Sequence, residues 1–129
     1  MTTTAAASAA ADLAPAGWMP LCTVSDLEVE RGRAALLGQT QIALFLLHDG
    51  RVHAVSNFDP YSGAHVMSRG IVGTREGIPT VASPMYKQVF DLRTGICLDT
   101  QGKDPHALQS WPVAVDDAGR VLIRWEGAS

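Results

Sequence analysis

Gln41-Ile-Ala-Leu-Phe-Leu-Leu47, His48-Asp49-Gly50 and Arg51-Val-His-Ala-Val-Ser56 are the consecutive segments whose reading decides the fold. Two short runs rich in apolar and β-branched residues flank Asp49-Gly50, where glycine supplies the positive φ that a tight hairpin turn demands. The stretch therefore predicts two antiparallel strands, Gln41–Leu47 and Arg51–Ser56. Working outward, similar short runs occur at Trp18–Val24 and Arg33–Leu37 before the hairpin. After it come Thr80–Ala82, Gln88–Asp91, Ile96–Leu98, Trp111–Val115 and Arg120–Trp125. Arg93-Thr94-Gly95 and Asp117-Ala118-Gly119 look like further turns, and Ser25-Asp26-Leu27 could start a single helical turn. No segment is long and periodic enough to demand a helix. The expectation is an all-β fold, a small antiparallel sandwich or barrel.

A chain of 129 residues is long enough to bury one core. A hydrophobic fraction of 47%, a charged fraction of 18% and a net charge of -3 leave no electrostatic case for binding nucleic acid. The longest apolar run, Ile42–Leu47, is far short of the roughly 18–20 residues that a membrane-spanning helix needs. Half of the first sixteen residues are alanine, but the segment has no Lys or Arg and carries Asp12, so it does not read as a secretory signal. Residues 1–16 are expected to form a disordered tail, 17–126 the domain, and 127–129 a short C-terminal tail. Cys22 and Cys97 form no CxxC pair and are expected to be free, buried thiols, which suits a cytoplasmic location.

The stretch Asn57–Pro79 stands apart, being long, rich in Gly and Pro and poor in strand pattern. Loops of that length tend to be functional. Beyond it lies Val81-Ala-Ser83-Pro84-Met-Tyr86-Lys-Gln-Val-Phe90-Asp91-Leu-Arg-Thr-Gly95. This run resembles the second cluster-binding loop of Rieske domains, in which two loops each give one cysteine and one histidine to a [2Fe–2S] centre. By that resemblance Ser83 and Tyr86 stand in the cysteine and histidine places. In the first loop, Ala54-Val55-Ser56-Asn57-Phe58-Asp59-Pro60, the corresponding places fall to Asn57 and Asp59. Such a set offers one hard carboxylate and three weak neutral oxygen donors, where the cluster needs thiolate or imidazole. These are degenerate cluster positions, and no cluster is expected to bind.

Between Asp59 and Ser83 lie 23 residues, a longer separation than the Rieske ferredoxin pattern, and they contain Ser68-Arg69-Gly70-Ile71-Val72-Gly73. Taken with Ser56-Asn57-Phe58-Asp59-Pro60-Tyr61-Ser62-Gly63 and Ala82-Ser83-Pro84-Met85-Tyr86-Lys87-Gln88, the chain is similar to the small subunits of NAD(P)H-dependent assimilatory nitrite reductases over Trp18 to Trp125. The resemblance implies a Rieske-like β-sandwich or barrel with two loops paired at one end. It implies a partner, a large subunit carrying FAD, a [4Fe–4S] cluster and sirohaem that reduces nitrite to ammonium. It also implies that this chain is inactive alone, with no catalytic, cofactor-binding or metal-binding residues of its own.

Asn57, Asp59, Ser83 and Tyr86 are expected to hydrogen-bond one another and hold the loops together. A hydrolytic reading of Asp59, Ser83 and Tyr86 lacks a positioned base, because no histidine lies in either loop tip. The four histidines show no metal-ligand spacing, and no GxGxxG or GK[ST] supports nucleotide binding. Tyr61, Arg69, Met85 and Lys87 are the candidate partner surface, with Phe58 a further apolar residue at a loop tip. Two other classes compete: a true Rieske-type [2Fe–2S] electron-transfer protein, and an independent β domain that binds a small ligand or another protein.

Overall fold

The computed structural model describes residues 16–125, so the tails expected at 1–16 and 127–129 lie outside the described residues apart from Ala16. The strands in chain order are β1 Trp18–Thr23, β2 Arg33–Leu37, β3 Thr40–Leu46, β4 Val52–Ser56, β5 Ile71–Arg75, β6 Ile78–Ala82, β7 Val89–Asp91, β8 Cys97–Asp99, β9 Ser110–Trp111, β10 Val113–Val115 and β11 Arg120–Arg124. They form three antiparallel sheets, ordered β1-β11-β10, β2-β3-β4-β9 and β5-β6-β7-β8. Among the described residues no helix is long and apolar enough to cross a membrane.

The predicted hairpin becomes β3 and β4, and β3 explains the architecture. Side chains alternate across a strand, so its two parities enter different cores. Ala43 and Phe45, with Leu47 beyond the strand, pack against Val55, Met67, Val81, Phe90, Leu92 and Leu108. Ile42, Leu44 and Leu46 pack against Leu27, Val52, Ala54, Val121 and Ile123. The sheet containing β3 is thus buried on both faces, which is why its sequence is an unbroken apolar run rather than an alternation. Burying Phe45 and Phe90 completely anchors the first of these cores, directly beneath the loops described below.

Two expectations need correction. The stretch Asn57–Pro79 is not loop throughout, because β5 lies within it and pairs with β6. Glu76 and Gly77 join them with φ of 51° and 82°, the double positive φ of a two-residue hairpin turn. β5 is an edge strand with mostly exposed side chains and only Val72 packed on the core, so no apolar alternation marked it. The run Trp111–Val115 is two strands, since Trp111 pairs with Ala54 in one sheet and Val113 with Ile123 in another. Pro112 lies at the switch, where its missing N–H cannot break a ladder.

Smaller features follow local chemistry. The expected helical turn is a 3-10 turn over Val24–Asp26, with the Thr23 N–H and hydroxyl both donating to the Asp26 carboxylate at 3.0 and 3.1 Å. A second 3-10 turn, Met67–Arg69, had no sequence signal and buries Met67 in the first core. Cys22 and Cys97 are free but half-buried, rather than fully enclosed.

Candidate functional site

The first loop leaves β4 at Asn57 and the second joins β6 to β7 through Ser83–Gln88. Short polar side chains shape both. Ser56 Oγ accepts from Phe58 N, Asp59 Oδ1 from Tyr61 N, Ser62 Oγ from Ala64 N and Ser83 Oγ from Met85 N, at 3.1, 2.9, 3.3 and 3.1 Å. Each is a bond to the backbone two residues onward, the arrangement by which Ser and Asp set turns. The second loop closes further through Ser83 N donating to Gln88 O at 2.9 Å and Lys87 N to Ser83 O at 3.1 Å.

One bond joins the loops. The fully buried Ser83 hydroxyl donates to Asp59 Oδ2 at 2.6 Å, and the same carboxylate oxygen accepts from Ser62 Oγ at 2.9 Å. With the Tyr61 amide on its other oxygen, the equally buried Asp59 has a neutral-donor cage and no paired cation among the described residues. Asn57 does a different job. Its Nδ2 donates to Gln41 Oε1 at 3.1 Å and His65 O at 3.3 Å, while its Oδ1 accepts from Ser68 N at 2.7 Å. It ties the first loop down to β3 and to the Met67–Arg69 turn. Tyr86 is 56% exposed and stands outside this network. Of the four positions, the structure therefore joins Asp59 to Ser83, ties Asn57 to β3 and to its own loop, and leaves Tyr86 facing solvent. Gln41 and Ser62 complete the network, and only Ser62, in a loop of turn-forming residues, carried a sequence hint.

The candidate partner residues also divide. Tyr61 is braced inside the fold, its hydroxyl donating to Asp104 O at 2.7 Å and accepting from His106 N at 2.9 Å. Its ring lies 6.1 Å from Phe90 and 5.2 Å from His106. Desolvation and the adjacent Cys97 thiol push its pKa up, so it stays a neutral phenol. Arg69, Met85 and Lys87 are exposed, and neither cation forms an ion pair among the described residues. Met85 is 49% and Phe58 41% exposed, the latter with its ring 5.3 Å from His65. Gly70 brings the Arg69 turn against the end of β6, since a Cβ there would lie 2.6 Å from Ala82 O.

This geometry limits the chemistry. Ser83 has no solvent exposure and its hydroxyl is committed to a carboxylate, with no histidine in contact, so it is not a nucleophile. The donor set also does not fit a [2Fe–2S] cluster. Asn57 and Asp59 spend their side-chain oxygens on protein donors, Ser83 is turned onto Asp59, and none of the four offers thiolate or imidazole. Gln88 is the residue that sequence reasoning missed entirely. It is 1% exposed, and its Oε1 is buried without a hydrogen-bond partner among the described residues.

Stacked antiparallel sheets with two loops clasped at one end define a Rieske-like β domain. Residues 17–124 match the family model described as a Rieske-like [2Fe-2S] domain. The nitrite reductase (NADH) small subunit of Escherichia coli K12 is 40% identical over 85 residues, covering 65% of this chain and 79% of that one. A solved structure described as an NADH-dependent nitrite reductase small subunit from Mycobacterium tuberculosis superimposes with a TM-score of 0.75 at 47% identity, covering 82% of this chain and 92% of that one. The nitrite reductase [NAD(P)H] large subunit of Klebsiella oxytoca is 40% identical over 106 residues, which are 82% of this chain, and this chain spans 11% of its length. The chain belongs to the family of nitrite reductase small subunits, within the Rieske-like domains.

Proposed function

We propose that the chain is the non-catalytic small subunit of an assimilatory NAD(P)H-dependent nitrite reductase, working in the cytoplasm against a large subunit that reduces nitrite to ammonium. The observation that carries this reading is the buried 2.6 Å bond from Ser83 to Asp59, which closes the loops where a metal-ligating pair would otherwise stand. With no soft donors there, electron transfer belongs on the partner, whose FAD, [4Fe–4S] cluster and sirohaem supply it. The partner's identity is supported by the Klebsiella oxytoca large subunit, a single chain that contains a stretch similar to this domain.

The docking face in this proposal is the exposed end of the clasped loops. Phe58, Met85 and Tyr86 offer apolar surface there, and Arg69 and Lys87 offer exposed positive charge. Apolar anchors rimmed by charge suit a protein interface better than contact with water. The test is co-expression of the tagged chain with the large subunit, followed by iron, sulfide and activity assays on the complex and on the isolated chain. The expected result is co-purification, with iron and nitrite turnover present only in the complex. Near-stoichiometric iron and sulfide on the isolated chain, or its turnover of nitrite with an artificial reductant, would overturn the proposal.

A further inference from the structure

β5 is the edge strand of its sheet, and the register fixes which of its backbone groups are free. In an antiparallel ladder, successive residues turn their N–H and C=O to opposite sides. Pro79 O accepts from Leu92 N and Ser83 N donates to Gln88 O, so Pro79 and Val81 face β7. Ile78, Thr80 and Ala82 then face β5, where their opposite residues are Arg75, Gly73 and Ile71. Val72 and Thr74 are left turning their N–H and C=O to the open edge, with no partner for these groups among the described residues. The pairing with β6 shows no register shift, so no bulge twists this edge away from an incoming strand.

Beside that edge lie two hollows of about 470 and 270 Å³, which share Val72 and Glu30 in their walls. Arg31 and Arg69 line the larger, and Leu47, Val72 and Pro79 give the smaller an apolar floor. We infer that this groove receives an extended segment of the large subunit, which adds to β5 as a further strand through Val72 and Thr74, a proposal that rests on the docking proposed above. Arg69 lies both in the groove and on the loop-tip face, so one partner covers the two together. Charge narrows the segment. Glu30 has His48 Nε2 at 3.5 Å and Asp49 has Arg51 at 3.8 Å, whereas Arg69 has no ion pair among the described residues and Arg31 only an exposed contact of 3.7 Å with Glu28. A carboxylate is therefore wanted at the Arg31 and Arg69 end, and an apolar side chain over Leu47 and Val72. Glu30 and Arg31 close the side of the groove away from β5, so it suits one extended segment rather than the edge of a second copy's sheet.

The test is hydrogen exchange, read at single amides, on the isolated full chain and on its complex with the large subunit. The Gly73 amide faces β6 in both and serves as the internal reference. The Val72 and Thr74 amides should exchange freely in the isolated chain and at least about tenfold more slowly in the complex. Thr74→Pro removes an outward donor and spares every bond to β6, so it should leave Tm unchanged and weaken the complex on the order of tenfold. Thr74→Ala keeps the N–H and should bind like the parent chain. A complex in which Val72 and Thr74 exchange as in the isolated chain, or a folded Thr74→Pro that binds as tightly as the parent, would overturn the inference and leave the loop-tip docking standing. Failure to form any complex would overturn both. Should Thr74→Pro fail to fold, exchange in the parent complex decides.

Discussion

Replacing Asp59 by alanine removes the acceptor of three hydrogen bonds, from Tyr61 N, Ser62 Oγ and Ser83 Oγ. The three losses are unequal. Tyr61 N and Ser62 Oγ belong to half-buried residues that water can reach, but the Ser83 hydroxyl has no solvent access. An unsatisfied buried donor costs about 1–3 kcal/mol, and that single group sets the scale. For a domain of this size each kcal/mol lowers Tm by roughly 4 °C, so Asp59→Ala should melt about 4–12 °C lower than the parent chain. Ser83→Ala should cost less, because the carboxylate keeps its bonds to Tyr61 and Ser62. In the double variant the two losses should be less than additive, by on the order of 1 kcal/mol, since both remove the same contact. Calorimetry on the isolated chain measures all three, and hydrogen exchange of the Met85 and Lys87 amides reports whether the second loop loosens. Unchanged Tm and protection in Asp59→Ala, together with loss of nitrite turnover in the complex, would refute the structural role and place Asp59 in contact with the partner or its substrate.

Other perturbations separate the remaining causes of stability and binding. Gly95 has φ of 82°, and an added Cβ would also strike the backbone carbonyl of Leu108, whereas Gly119 has φ of 81° and open space around it. Gly119→Ala should therefore cost about 1 kcal/mol and Gly95→Ala some 1–3 kcal/mol more, as urea denaturation would measure. Burial holds the His53 pKa below its ordinary 6.5, so the folded chain takes up its proton less readily than the unfolded chain. The stability this contributes is complete above pH 6.5 and is lost as pH falls toward the folded pKa, a slope that His53→Gln should flatten in Tm measured against pH. Arg69→Glu should weaken affinity for the large subunit on the order of tenfold without changing Tm, because the side chain is exposed and has no ion pair to lose among the described residues. Unchanged affinity in calorimetric titration would move the interface elsewhere.

The parts of the fold that could be read from sequence are those where one residue type has one use. Asp49-Gly50 between apolar runs marked the central hairpin, and the unbroken run from Ile42 to Leu47 reflected a strand buried on both faces. β5 was hidden because an edge strand with one packed side chain has little apolar pattern to display. At the site, of the bonds expected among the four loop positions the structure forms the one from Ser83 to Asp59, while Asn57 bonds Gln41, His65 and Ser68 and Tyr86 faces solvent. Whether a Tyr hydroxyl turns inward depends on the path of the second loop. There Lys87, at φ of 69°, takes a left-handed conformation that non-glycine residues seldom adopt, and Tyr86 points to solvent. Gln88 was invisible for a related reason, since a polar residue just before a short strand gives no sign that its Oε1 will be enclosed without a partner among the described residues.

The clasp and the proposed docking face make separable demands on the same loops. A cluster in this place would hold the loops by ligation. Here the holding function lies in Asp59 and Ser83, completely buried, and the exposed tip carries Met85, Tyr86 and Phe58 instead. A substitution at the clasp should therefore lower stability first and association only through the loosened tip. A substitution at Met85 or Arg69 should change association alone. Tyr61 belongs with the clasp, because its two hydroxyl bonds and its contact with Phe90 tie the first loop to the Asp104–His106 segment and the core. The loop tip is then a rigid surface, and a rigid surface loses less conformational entropy on binding than a mobile loop would. That is a physical reason for the two-loop architecture to suit the docking role proposed for it.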